Sequence, residues 1–265
     1  MGTALLNDGS RECAEAAAPV SGFMQSIYES GAYAESNEDW HDEDAPYKAR
    51  EILKLLQRNN VSFRRCVDVG CGAGGVLRIL ANEFDAEYIG FDIAPLAIKR
   101  ASEHATPNLS FRCEDFLECR DVAEVDLILC NDVFEHVPDY LGFVTRLGER
   151  GPAPARVVFN IPLEMNLLHV LSKRHVYNRQ RIGHLHYFTR ETAIATVTDC
   201  GFDVIDSFYS YPGLHMPHTR RSLAKRLAKI PRAALYLVPG GWGEKLIGGA
   251  SLLVLASKRR PSLFA

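Results

Sequence analysis

The residues equipped for chemistry begin at Asp68. In Asp68-Val69-Gly70-Cys71-Gly72-Ala73-Gly74-Gly75 a carboxylate closes an apolar run and a glycine-dense turn follows. Glycine has no Cβ, so such a turn bends sharply and approaches a ligand closely. The apolar stretch 76–80 reads as a helix, whose first N–H groups suit a carboxylate or phosphate. A second group is Asp132, Glu135 and His136, spaced i, i+3, i+4, which share one face of a helical turn. They can supply a proton acceptor or hold a divalent ion. His41 lies in a polar, acidic loop behind Tyr28, Tyr33 and Trp40, and is hard to account for as core. His184 and His186 alternate, so in an extended segment they face the same way, with no third ligand at a fixed spacing.

The elements that must position these groups repeat a strand–helix pattern. Apolar runs at 66–69, 88–93, 109–116, 125–132 and 155–161 read as strands, the last closed by Pro162. Helical segments separate them, which implies a parallel sheet covered on both faces. Strands at 203–210 and 251–257 follow, with a helix before the first that runs from 189 or 190 to Cys200 and ends at Gly201. The fold expected is α/β: a doubly wound, mostly parallel, seven-stranded sheet. Helices at 23–37 and 47–59 precede it as an N-terminal helical cap over 23–60. Residues 1–22 are small, polar and alanine-rich and are expected to stay unfolded. The main domain would span 61–265, with insertions at about 163–190 and 212–248. Within the second insertion, Arg220, Arg221, Lys225, Arg226, Lys229 and Arg232 stud an expected amphipathic helix that can meet an anionic acceptor or lipid.

Gly70, Gly72 and Gly75 fit the dinucleotide spacing G-x-G-x-x-G. Asp68 argues against that ligand, because a carboxylate two residues before the first glycine repels a pyrophosphate. It welcomes S-adenosylmethionine, which carries an ammonium, a sulfonium and no phosphate. The acid-x-G-x-G-x-G series from Asp68 to Gly74, followed by strands that carry Asp92, Asp115 and Asn131 near their ends, resembles the class I S-adenosylmethionine-dependent methyltransferases. The resemblance implies a Rossmann-like methyltransferase fold and a donor pocket built from Asp68, Gly70, Cys71, Gly72, Gly74, Asp92, Ile93, Asp115, Phe116 and Asn131. Asp92 would accept from the ribose hydroxyls. Asp115 would meet the adenine amino group, with Phe116 beside the ring.

For catalysis the candidate bases are His136 and His41. The Asp132–Glu135–His136 turn is similar to one that can hold a divalent metal in quinone-pathway O-methyltransferases, and it recurs in metal-free relatives as scaffold and base. No resident metal is required. His184 and His186 are expected at the acceptor or as loop anchors. The reaction implied is O-methylation of a small metabolite, sugar derivative or lipid-linked intermediate, with N- and C-methylation left open. The alternatives are a dinucleotide-dependent oxidoreductase and a non-catalytic S-adenosylmethionine-binding partner protein.

A formal charge of −3 and a pI near 6.3 argue against a general nucleic-acid binder. No run of eighteen apolar residues occurs, so no transmembrane span is expected, while the basic helix leaves peripheral membrane contact open. Seven cysteines without a C-x-x-C pair, and no secretory pattern at residue 1, fit a reduced, cytoplasmic protein. Oligomeric state is not readable.

Overall fold

A computed structural model describes residues 42–122, 124–150, 155–215 and 229–259. His41, Trp40, Tyr28, Tyr33, the 1–22 tail and most of the basic stretch before Lys229 lie outside the described residues.

Helix α1 (Ala45–Arg58) leads into β1 (Arg65–Val69), α2 (Gly75–Leu80), β2 (Glu87–Asp92), α3 (Pro95–Ser102), β3 (Leu109–Cys113) and β4 (Leu127–Asn131). A single 3₁₀ turn, Phe134–His136, precedes α4 (Tyr140–Leu147) and β5 (Arg156–Pro162). Short helices α5 (Leu167–Leu171) and α6 (Arg174–Ile182) fill the first insertion. Then come α7 (Arg190–Asp199), β6 (Phe202–Ser210), α8 (Pro212–His215), α9 (Lys229–Tyr236), α10 (Trp242–Ile247) and β7 (Ser251–Lys258).

The sheet order is β3-β2-β1-β4-β5-β7-β6. The first five strands pair in parallel, and β7 runs antiparallel between β5 and β6. The expected seven-stranded, mostly parallel sheet is the one found. Successive side chains of a strand point to opposite faces, and here both faces are apolar. Val67, Ile89, Ile128 and Phe159 enter one core, and their neighbours Cys66, Tyr88, Leu127 and Val158 enter the other. This two-sided burial is why the strands read as continuous apolar runs. Helix α1 belongs to the second core: Ala49, Ile52, Leu55 and Leu56 pack with Leu77 and Leu80 of α2. The six described cysteines are free, and burial pushes the thiols of Cys66, Cys71 and Cys130 far up.

Several boundaries differ from the sequence reading. β3 stops at Cys113, because the Asp115 carboxylate turns back to accept from the Leu117 N–H at 2.8 Å and closes a local turn. β4 stops at Asn131, since Asp132 takes a left-handed φ of 54°. Pro162 does not close β5 from outside but is its last paired residue, opposite Ser251. Residues 183–188 form no strand: the Leu185 and His186 N–H groups both donate to the Glu135 carbonyl, at 2.8 and 3.2 Å.

Because α1 shares a core with the sheet, Ile52→Ala should destabilise the whole fold by about 2–5 kcal/mol. Urea unfolding should show one transition at a lower midpoint. A separate early transition of α1 would contradict the shared core.

Candidate active site

The C-terminal ends of β1, β2 and β4, with the turn after β3, surround a cavity of about 730 Å³. The glycine turn is fastened to the end of β2. Gly70 N–H and Cys71 N–H donate to the Phe91 carbonyl at 2.8 and 3.0 Å, and Gly72 N–H donates to Asp92 Oδ2 at 2.9 Å. Gly70 needs its lack of a side chain, as a Cβ would stand 2.6 Å from Val133 Cγ2 and φ is +74°.

Of the ten donor-pocket residues expected, Asp68, Gly70, Cys71, Gly72, Asp92, Ile93, Asp115, Phe116 and Asn131 line the cavity, as does His136. Gly74 does not. Its φ of +77° and the Phe111 ring, 2.4 Å from where a Cβ would lie, assign it to the packing behind the turn. It caps α2 in the left-handed conformation.

Asp68 is 2% exposed, and its Oδ1 accepts from Asn131 Nδ2 at 3.3 Å. Burial raises its carboxyl to about 7, against the pull of Asn131 and Lys48. Burial also lifts Asp92, opposed by the N–H groups of Ala94 and Gly72.

The turn after β4 departs from expectation. Asp132 does not join Glu135 and His136. Its carboxylate accepts from Asn160 Nδ2 at 3.0 Å and meets Lys48 Nζ at 2.8 Å. Burial works against the Lys48 charge, but Asp132, with Asp44 and Glu135 behind it, outweighs that and holds the ammonium above its ordinary value. Glu135 and His136 instead meet His184, with ligand atoms all within 4.8 Å of one another. Glu135 is fully buried, and neither carboxylate oxygen finds a hydrogen-bond partner among the described residues. Burial, then the Asp132 charge, pushes its carboxyl far up.

Both imidazoles of that cluster have their tautomer set from behind. A carbonyl only accepts, so His136 Nδ1–H donates to Gly183 O at 3.2 Å. His184 Nδ1–H donates to Glu164 Oε2 at 2.8 Å, and Glu164 Oε1 accepts from Asn178 at 2.7 Å. Burial works to raise Glu164, yet the His184 and Asn178 hydrogen bonds outweigh it and keep the carboxylate ionised. The two rings meet edge to face at 4.7 Å. His186 does not share this role. Its Nε2 lies 2.9 Å from Val137 O, its ring lies 4.4 Å from Tyr140, and it is not on the cavity wall.

Sequence reasoning missed Lys48 and Glu164. Lys48 sits on the cavity side of α1, on a helix read only for its apolar face. Glu164 is twenty residues from His184, and nothing local marks the pair.

Lys48→Met leaves Asp132 without its cation and should lower stability by about 3 kcal/mol. Adding Asp132→Asn should recover much of that loss in chemical denaturation. Equal stability of Lys48→Met and parent would contradict the pairing.

Comparison with known proteins fits this geometry. The profile of the methyltransferase domain family matches residues 40–207. A chloroplastic tocopherol O-methyltransferase of Arabidopsis thaliana is 28% identical over 142 residues, 50% of this chain and 41% of that protein. A ubiquinone biosynthesis O-methyltransferase of Xanthomonas campestris is 29% identical over 116 residues, 40% of this chain and 48% of that one. The chain thus spans less than half the length of these curated relatives. The N-methyltransferase NodS of Bradyrhizobium japonicum, solved with S-adenosyl-l-homocysteine, superposes with a TM-score of 0.55 at 16% identity, covering 87% of this chain and 100% of that one. That likeness is one of fold. With well over half of its residues inside the matched region, the chain belongs to the methyltransferase domain family.

Proposed function

We propose that this chain transfers the methyl group of S-adenosylmethionine to a hydroxyl of a small metabolite. The observation that carries the reading is the convergence on one cavity of Asp68 and Asp92, at the ends of β1 and β2, and Asp115, in the turn after β3. Ligands of open α/β sheets bind at that edge. In this reading the ammonium of the donor sits on the Asp68 side of the turn. Asp92 accepts from the ribose hydroxyls through lone pairs not used by Gly72 and Ala94. Asp115 and Phe116 border the adenine. The names of the tocopherol and ubiquinone relatives favour oxygen as the nucleophile.

Transfer from a sulfonium is an in-line displacement, so alignment supplies most of the acceleration. The acceptor oxygen forms a bond to the methyl carbon as the carbon–sulfur bond breaks. Its proton must leave, and His184, backed by the ionised Glu164, is our base. His136, the base expected from sequence, stands against it and orders the acceptor. His41 lies outside the described residues and keeps its place only as a proposal.

The orphaned Glu135 oxygens favour one second reading. Glu135, His136 and His184 would hold a divalent ion, with Gly183 O and Glu164 orienting the imidazoles. Such an ion supplies Lewis acidity that lowers the pKa of a bound hydroxyl. Elemental analysis of purified protein, parent against Glu135→Gln, decides it: stoichiometric metal lost in the variant supports the ion, and its absence from both removes it.

Calorimetry with S-adenosylmethionine tests the main reading, and Asp92→Ala should weaken the donor by about tenfold or more. Tight binding of reduced nicotinamide dinucleotide in its place would overturn it. Because a cation favours ionised Asp68, donor affinity should rise with pH up to about 7 and then level off. Below that value one proton should be released per donor bound, visible in buffers of different ionisation enthalpy. In turnover of radiolabelled donor, His184→Ala and Glu164→Gln should each lower kcat by about a hundredfold with donor affinity kept. Unchanged turnover in both would remove the dyad.

A further inference from the structure

The helix pair α5–α6 is packed inside out. Its buried side chains are Asn166 and Asn178, each 4–5% exposed, which turn inward toward Glu164 and its neighbours. Its leucines and valines turn to solvent: Leu171 is 72% exposed, Val170 54%, and Met165 and Leu167 50% each. No residue of α5 is buried, and of α6 only Asn178 is. Single exposed leucines are ordinary, but a contiguous apolar surface marks something that covers it. α5 packs against α10, and Trp242 of α10 is 58% exposed and Leu237 before it 83% exposed, so this neighbouring element also carries exposed apolar side chains.

Charge identifies what covers it. From residue 165 to 182 there are four cations, Lys173, Arg174, Arg179 and Arg181, and no acid. The Arg174 guanidinium lies over the Tyr177 ring at 4.7 Å. Apolar side chains, tyrosine and tryptophan beside uncompensated Lys and Arg are the make-up of a surface that lies in a lipid interface, with the apolar groups among the acyl chains and the cations on the headgroups. A protein partner would need an apolar patch and an acidic cluster in matching register, whereas an anionic bilayer offers both everywhere. Among the described residues no helix is long and apolar enough to cross a membrane, so this contact is peripheral.

We infer that the face formed by α5, α6 and the start of α10 docks onto an anionic phospholipid membrane. The same segment leads directly to the cavity, because Ile182 and His184 line its wall. An amphiphilic acceptor would therefore pass from the bilayer to the cavity along α6. Membrane docking needs no methyl donor, so it stands or falls separately from the transfer reaction.

The test is cosedimentation of the full chain with vesicles of equal phosphatidylglycerol and phosphatidylcholine, and with phosphatidylcholine alone. Binding should occur to the first, fall with added salt, and be at least tenfold weaker to the second. Leu168→Asp/Leu171→Asp and Arg174→Glu/Arg179→Glu should each weaken it by about tenfold or more, with thermal unfolding midpoints unchanged because these positions are exposed. Trp242 emission should shift to the blue on binding in the parent. Variants that bind as tightly as the parent would overturn the assignment, even if the vesicles still capture the chain through other basic residues. So would equal affinity for the neutral vesicles. Self-association in sedimentation velocity that Leu168→Asp/Leu171→Asp abolishes, without vesicle binding by the parent, would give the face to a second copy instead.

Discussion

Burial of both faces of the sheet leaves polar groups few places to go. Along the strands, side chains enter one apolar core or the other, and a carboxylate there would be left unsolvated. At the strand ends the backbone turns away and exposes N–H groups that can receive it. Asp92 shows the arrangement: one oxygen accepts from Gly72 and the other from Ala94, both in turns that flank its strand. Asp68 is further inside, with one side-chain donor, and its carboxyl is lifted to about 7. The acids at the edge of the sheet thus differ in how many donors their surroundings offer.

The same constraint explains the charge pattern around the turn after β4. Asp132 lies beside the fully buried Glu135, and its charge adds to the cost of ionising Glu135. The conflict is eased by Lys48, which reaches from α1 to Asp132, while burial and the Asp132 charge push the Glu135 carboxyl up. α1 therefore contributes a counter-charge as well as apolar packing. A cavity wall that contains both a buried carboxyl with no hydrogen-bond partner among the described residues and two oriented imidazoles is a place where proton positions are set by geometry.

The parallel sheet, the glycine turn and the meeting of nine of the ten expected residues on one cavity were legible because each rests on local sequence: an apolar run, an acid at its end, glycines where φ is positive. Gly74 fits the same motif, yet the Phe111 ring behind it decides its role, and that contact is long-range. The Asp132–Glu135–His136 grouping was inferred from helical spacing. The chain makes only one 3₁₀ turn there, and Asp132, outside it in a left-handed conformation, goes to Lys48 and Asn160. His184 was visible as a residue but not as a member of the cluster. Its place depends on Glu164, and on a backbone tie between Glu135 and the 185–186 peptides that no pattern in the sequence announces.

The position of β7 has a consequence for how the molecule is made. Among the described residues β6 pairs only with β7, and β7 fills the slot between β6 and β5. On the ribosome, β1 to β5 can assemble in order as they emerge, each beside a strand already in place. β6 has no neighbour to join until residues 251–258 have been synthesised, and until then the outer flank of β5 stays open. Nascent chains halted anywhere between 211 and 250 would present that unpaired flank to chaperones or to one another.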